Sequence, residues 1–190
     1  MKIGELVSFF VIFVTMMSVT ASPHPIILIM CYLIHEAGHL VFAKITCTPV
    51  KRVGASSFRL CIYYDTSTVS YKKELLVCLG GIIFNLIFAV LPHILGFVTS
   101  DFVSFFSICN LSLAFMNLCP VETLDGGGAL NALLKCVMAE ERAERLCKSL
   151  SMLFTVAMWL LAVYLQLILN SNISFLAISI ALLIKLCFSY

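Results

Sequence analysis

Charge is what this chain has least of. Asp, Glu, Lys and Arg make up 12% of its 190 residues, while 62% are hydrophobic. Soluble domains carry about 25% charged and roughly 45–50% apolar residues. A separate soluble domain therefore has no stretch to occupy, and the net charge of +2 offers no basic face for nucleic acid. Paired cysteines are lacking too. The nine cysteines are odd in number and include no Cys-x-x-Cys. Cys31, Cys78, Cys109, Cys119 and Cys187 fall in apolar segments, where a thiol packs as a small hydrophobe, so no disulfide framework is expected. Nor do polar side chains run from one side of the apolar segments to the other, which argues against a metal transporter.

Long apolar runs are abundant. They lie at residues 6–22, 26–45, 74–98, 102–138 (interrupted), 149–169 and 173–190. About 20 residues of helix cross a hydrocarbon core of roughly 30 Å. The expected fold is an all-α membrane protein of six transmembrane helices, the fourth interrupted, forming one integral-membrane domain over 1–190. Every Lys and Arg then lies on one side, from Lys2 through the 44–73 and 135–148 groups to Lys185. The opposite connections, near residues 22–25, 99–101 and 170–172, hold none. The positive-inside rule places both termini in the cytoplasm. Residues 1–25 also resemble a signal peptide; retained, they form the first span and preserve the charge pattern.

Within 26–45 stand His35-Glu36-Ala37-Gly38-His39. Residues four apart share a helix face, so both imidazoles can reach one ion, and Glu36 is placed to act on a water held there. Two interior histidines satisfied by polar neighbours are the plainer alternative. The location favours function, because ionisable groups are expensive at membrane depth. His24 and His93 are most simply interfacial.

A second polar stretch runs from Asn117 to Gly128. Pro120 ends a helix, and Gly126-Gly127-Gly128 are expected to resist regular helix until about Ala129. Irregular backbone at that depth must be buried in protein or line a wet cavity, which makes Asp125 a candidate for the same polar site as the histidines. Asn85 follows Gly80-Gly81; a helix–helix hydrogen bond and a catalytic role both remain open for it. Residues 57–71 suggest a cytoplasmic β-hairpin turning at Asp65-Thr66-Ser67, or an irregular loop. Residues 140–148 read as a solvated helical face with Glu141–Arg145 and Glu144–Lys148 pairs.

With His-Glu-Ala-Gly-His in one span and Asn-Leu-x-Pro-x-x-x-Leu-Asp-Gly-Gly in a later one, the chain resembles the site-2 protease family of intramembrane zinc metalloproteases. It is most similar to their compact bacterial branch, which includes the stage IV sporulation protein FB type. The resemblance implies zinc held by His35, His39 and Asp125, with Glu36 as general base on the water at the metal. It also implies that Asn85 and Asn117 position substrate. Ile82, Thr123 and Gly128 stand where that family more often has proline, proline and arginine. The implied substrate is a membrane-spanning protein cut within or next to its transmembrane segment, in a bacterial cell membrane. The PDZ and CBS modules of the family are not expected here, so regulation would fall to a separate membrane partner. Two rivals stand beside this reading. One is a prenyl-protein-type membrane protease drawing a third ligand from Glu140 or Glu144. The other is a non-catalytic scaffold with structural zinc.

Overall fold

The computed structural model describes residues 24–48, 50–56, 59–64, 69–96 and 101–169, with 179–180 and 183–184. The expected spans at 6–22 and 173–190 lie outside the described residues, apart from those last four positions. The elements in order are α1 (His24–Ile45), β1 (Val50–Ser56), β2 (Arg59–Tyr64), α2 (Tyr71–Ile94), α3 (Asp101–Leu118), α4 (Asp125–Val137) and α5 (Glu140–Leu169). Among the described residues, four helical segments are long and apolar enough to cross a membrane: Pro25–Ile45, Tyr71–Ile94, Asp101–Leu118 and Glu140–Ile168.

The side chains are sorted for lipid rather than for water. Leu33, Ile87, Val90, Phe115, Leu160 and Leu167 are exposed, whereas His35, Asn85, Asn110, Asp125, Ser151 and Thr155 are buried. Hydrocarbon accepts the first group at no cost, and it offers no partner to the second. That distribution, with the four apolar helices, marks an integral membrane protein.

Two compact units divide the chain, Met1–Phe115 and Met116–Tyr190. In the first, α1 and α2 pack backbone against backbone. A Cβ on Gly38 would overlap the Gly80 carbonyl, and one on Gly80 would sit 2.7 Å from the Gly38 carbonyl oxygen. Small residues at a helix crossing allow this close approach. Ile27 and Cys31 of α1 meet Phe106 and Cys109 of α3 in the apolar core. Asn110 closes that contact, its Nδ2 donating to the Phe106 carbonyl at 3.0 Å and to Cys31 Sγ at 3.1 Å.

Helix ends follow local chemistry. After α1, Thr46 Oγ1 donates to the Phe42 carbonyl at 2.8 Å and Cys47 turns to φ 50°. After α2, Gly96 takes φ 78° and its N–H bonds the His93 carbonyl at 3.3 Å, a glycine-ended helix. This stops α2 four residues before the expected boundary at 98.

Two strands lie between α1 and α2, but not with the pairing expected from sequence. β2 (Arg59–Tyr64) pairs antiparallel with β1 upstream, from Ser56↔Arg59 to Val50↔Tyr64, with an irregularity between Val50 and Arg52. The segment expected to be its downstream partner cannot serve, because Ser70 caps α2 and Tyr71 begins it. The turn expected at 65–67 lies outside the described residues.

The second unit holds the break. Pro120 follows the end of α3, and the chain turns through Val121 N–H to Cys119 O (2.8 Å) and Leu124 N–H to Val121 O (2.8 Å). Helix resumes at Asp125 rather than near Ala129, and all three glycines are helical. Tertiary packing overrides their weak propensity: a Cβ on Gly126 would overlap the Leu118 carbonyl, and one on Gly127 the Val121 carbonyl. α5 is also longer than the apolar run at 149–169. Its 30 residues extend roughly 45 Å, beyond the roughly 30 Å of hydrocarbon. The charge-bearing first turns are the surplus. There Lys135 of α4 pairs with Glu144 at 2.7 Å, while the Glu141–Arg145 pair stands at 4.0 Å and is exposed. The seven described cysteine side chains are all free thiols.

Candidate metal centre

The first unit supplies a pair of imidazoles. His35 and His39 lie one turn apart on α1, are 4% and 7% exposed, and have their rings nearly perpendicular at 89° with centroids 4.8 Å apart. Their Nε2 atoms approach to 3.2 Å. That separation suits two nitrogens on one ion: with Zn–N distances of about 2.0–2.1 Å it subtends roughly 100–105°, near the tetrahedral angle. Glu36, also buried at 6% exposed, follows the first imidazole directly.

α2 provides the surroundings through residues spaced by four. The Val77 carbonyl lies 2.8 Å from His39 Nδ1. It accepts an N–H there, which leaves the Nε2 lone pair available. Gly81 comes next. A Cβ on it would lie 2.6 Å from both His35 Cε1 and His39 Nε2, so the histidines occupy the volume of a missing side chain. Asn85, 0% exposed, places Nδ2 3.3 Å from His35 Nδ1. One face of α2 thus offers a carbonyl, a gap and an amide to the pair. The sequence pointed to Asn85 and to the Gly80-Gly81 pair, but not to the Val77 carbonyl or to the room that Gly81 leaves for the imidazoles. A backbone carbonyl has no residue signature.

The second unit carries Asp125 at the first position of α4, buried at 4% exposed. Unpaired amides at a helix N-terminus favour a carboxylate there. Its approach is held by the turn before it: Glu122 N–H donates to Ser151 Oγ at 2.9 Å, and Cys147 Sγ lies 3.5 Å from the Gly127 carbonyl. Asn117, near the end of α3, is buried. Of the other expected polar residues, Glu140 and Glu144 are exposed and Glu144 is engaged by Lys135. His93 is exposed near the end of α2. Imidazole and carboxylate are both zinc donors, and sites with only three protein ligands leave one position open.

Peptidase family M50 matches the chain over residues 97–161, from before α3 through most of α5, including the Asp125 segment. No curated protein sequence matches. Among solved structures, the Site-2 Protease from Methanocaldococcus jannaschii is similar, with a TM-score of 0.63 and 20% identity over 94% of this chain and 84% of that one. That likeness is one of fold, and the histidine pair lies outside the M50-matched segment. The chain thus shares a segment match with peptidase family M50 and a fold with a site-2 protease, beside a buried His-Glu-x-x-His motif on α1.

Proposed function

We propose that the chain is an intramembrane zinc endopeptidase that cuts a peptide bond within or beside a transmembrane segment of a membrane-tethered protein. His35, His39 and Asp125 hold the ion in this reading. The approach of two buried imidazole Nε2 atoms to 3.2 Å on a membrane-length helix carries it. It is supported by the burial of all three side chains and by the M50 match over the segment that carries Asp125. Six spans with both termini in the cytoplasm complete the proposal on the Lys and Arg distribution, and a bacterial cell membrane on the resemblance to the compact bacterial branch alone.

When bound, zinc supplies a Lewis acid that acidifies water and polarises a carbonyl. The chain's own residues do the remaining work. The Glu36 carboxylate takes the proton of the attacking water and returns it to the departing amide nitrogen. Burial of His35, Glu36 and His39 keeps bulk solvent from competing. Asn117 is proposed to position the substrate. A peptide bond in a helix is shielded by its own hydrogen bonds, so the substrate must be extended locally. An outer edge of the β1–β2 pair can hold an extended segment by strand addition.

The test compares membrane proteomes of cells carrying the native chain or Glu36→Gln. Shortened single-span proteins are expected only with the native chain. Indistinguishable proteomes from cells in which both chains are present and zinc-loaded would overturn the peptidase reading. An unchanged biological effect of the variant would favour the scaffold.

A further inference from the structure

The site described above contains one polar side chain whose position exceeds its assigned use. Asn85 is fully buried, and its Nδ2 lies 3.3 Å from His35 Nδ1. Its Oδ1 is buried with no hydrogen-bond partner among the described residues. The contacts link Asn85 to the pair: Asn85 Nδ2 lies beside His35 Nδ1, His35 Nε2 faces His39 Nε2, and His39 Nδ1–H donates to the Val77 carbonyl.

Ligation through Nε2 leaves the His35 proton on Nδ1 and makes that nitrogen a donor. The amide NH2 now opposite it would be a second donor, and two donors repel. Turning the Asn85 amide end for end removes the conflict. The turn breaks no bond made by Oδ1 to the described residues and exchanges the contact from Nδ2 for one from Oδ1. Histidine ligands of metals characteristically donate their second N–H to an outer acceptor, which fixes ring and tautomer. His39 has such an acceptor in the Val77 carbonyl. For His35, Asn85 faces that nitrogen.

We propose that Asn85 is a positioning residue for the metal ligand His35: its Oδ1 accepts the Nδ1–H of zinc-bound His35. The inference rests on the zinc reading and replaces the substrate contact expected for Asn85. It makes this side chain selective for one histidine tautomer in the loaded state.

The experiment measures zinc dissociation by chelator competition for the purified full chain and for Asn85→Leu and Asn85→Asp. Cobalt absorption spectra and kcat and KM at saturating zinc are recorded for each. Leu keeps the approximate volume and removes the acceptor; Asp keeps an acceptor and removes the donor. Zinc is expected to bind about 10–100-fold more weakly to Asn85→Leu, with an altered cobalt spectrum. Asn85→Asp should bind zinc at least as tightly as the native chain. KM should be unchanged in any active variant. Native zinc affinity in Asn85→Leu with a raised KM would overturn the inference in favour of a substrate contact. Weakened binding in both variants would overturn it in favour of a donor role. Failure of the native chain to bind zinc would refute the underlying site itself. Helical content by circular dichroism separates a lost ligand from a lost fold, and the Asp variant keeps the test intact if Leu disturbs packing.

Discussion

Gly81→Ala isolates the geometry of the histidine pair. Its added methyl would lie 2.6 Å from His35 Cε1 and from His39 Nε2, and 2.8 Å from His35 Nδ1. Ordinary contact begins near 3.5 Å, so the rings must retreat by about 0.9 Å or the two helices must part. Metal and catalytic groups tolerate misplacement of only about 0.5 Å. The global fold has more latitude. Overpacking costs about 1–3 kcal/mol, alanine returns up to about 1 kcal/mol of helix propensity, and domains hold about 5–15 kcal/mol in reserve. The substituted chain should therefore fold, keep its helical content, and lose the site. We expect zinc affinity to fall at least about 10-fold and cleavage of a reconstituted transmembrane substrate about 100-fold. Metal content by mass spectrometry and cleavage in proteoliposomes provide the readout. Native zinc content and native cleavage in Gly81→Ala would refute the claim that this missing side chain makes room for the ligands.

The remaining predictions concern the general base and the turn that carries Asp125. Purified Glu36→Gln should retain zinc while cleavage falls about 10²–10⁴-fold, read from initial rates at saturating metal. Ser151→Ala removes the acceptor of the Glu122 N–H and should cost about 1 kcal/mol, seen as a lower thermal unfolding midpoint in detergent. Gly127→Ala drives a methyl into the Val121 carbonyl; it should cost about 1–3 kcal/mol and weaken zinc binding, measured by the same melts and chelator titrations.

His35, Glu36 and His39 were legible in the sequence because helical periodicity converts a spacing of four into a shared face, and because their apolar setting raises the cost of charge. Asp125 was legible only through the resemblance and the broken segment around it. Its helix start was misread: composition suggests that three glycines delay a helix, whereas Gly126 and Gly127 are required inside one by backbone that touches them. Such close approaches depend on where the chain returns, which no local pattern contains. The same limit hid the room that Gly81 leaves for the imidazoles, and the Val77 carbonyl. For the hairpin, β-favouring residues identified 59–64, but the turn signal at 65–67 attracted the pairing downstream, and the helix cap at Ser70 had the stronger claim. The Glu144 partner across two helices was likewise invisible to an i,i+4 rule.

His35 and His39 occupy successive turns of α1, and on the proposed reading this would give the ion a second effect. An ion bridging them would tie one turn of that helix to itself, as a staple does. The proposed substrate would have to be extended beside α1, while α1 itself must stay helical to keep its two imidazoles on one face. The cofactor would thus hold its own platform rigid while the polypeptide next to it is pulled straight.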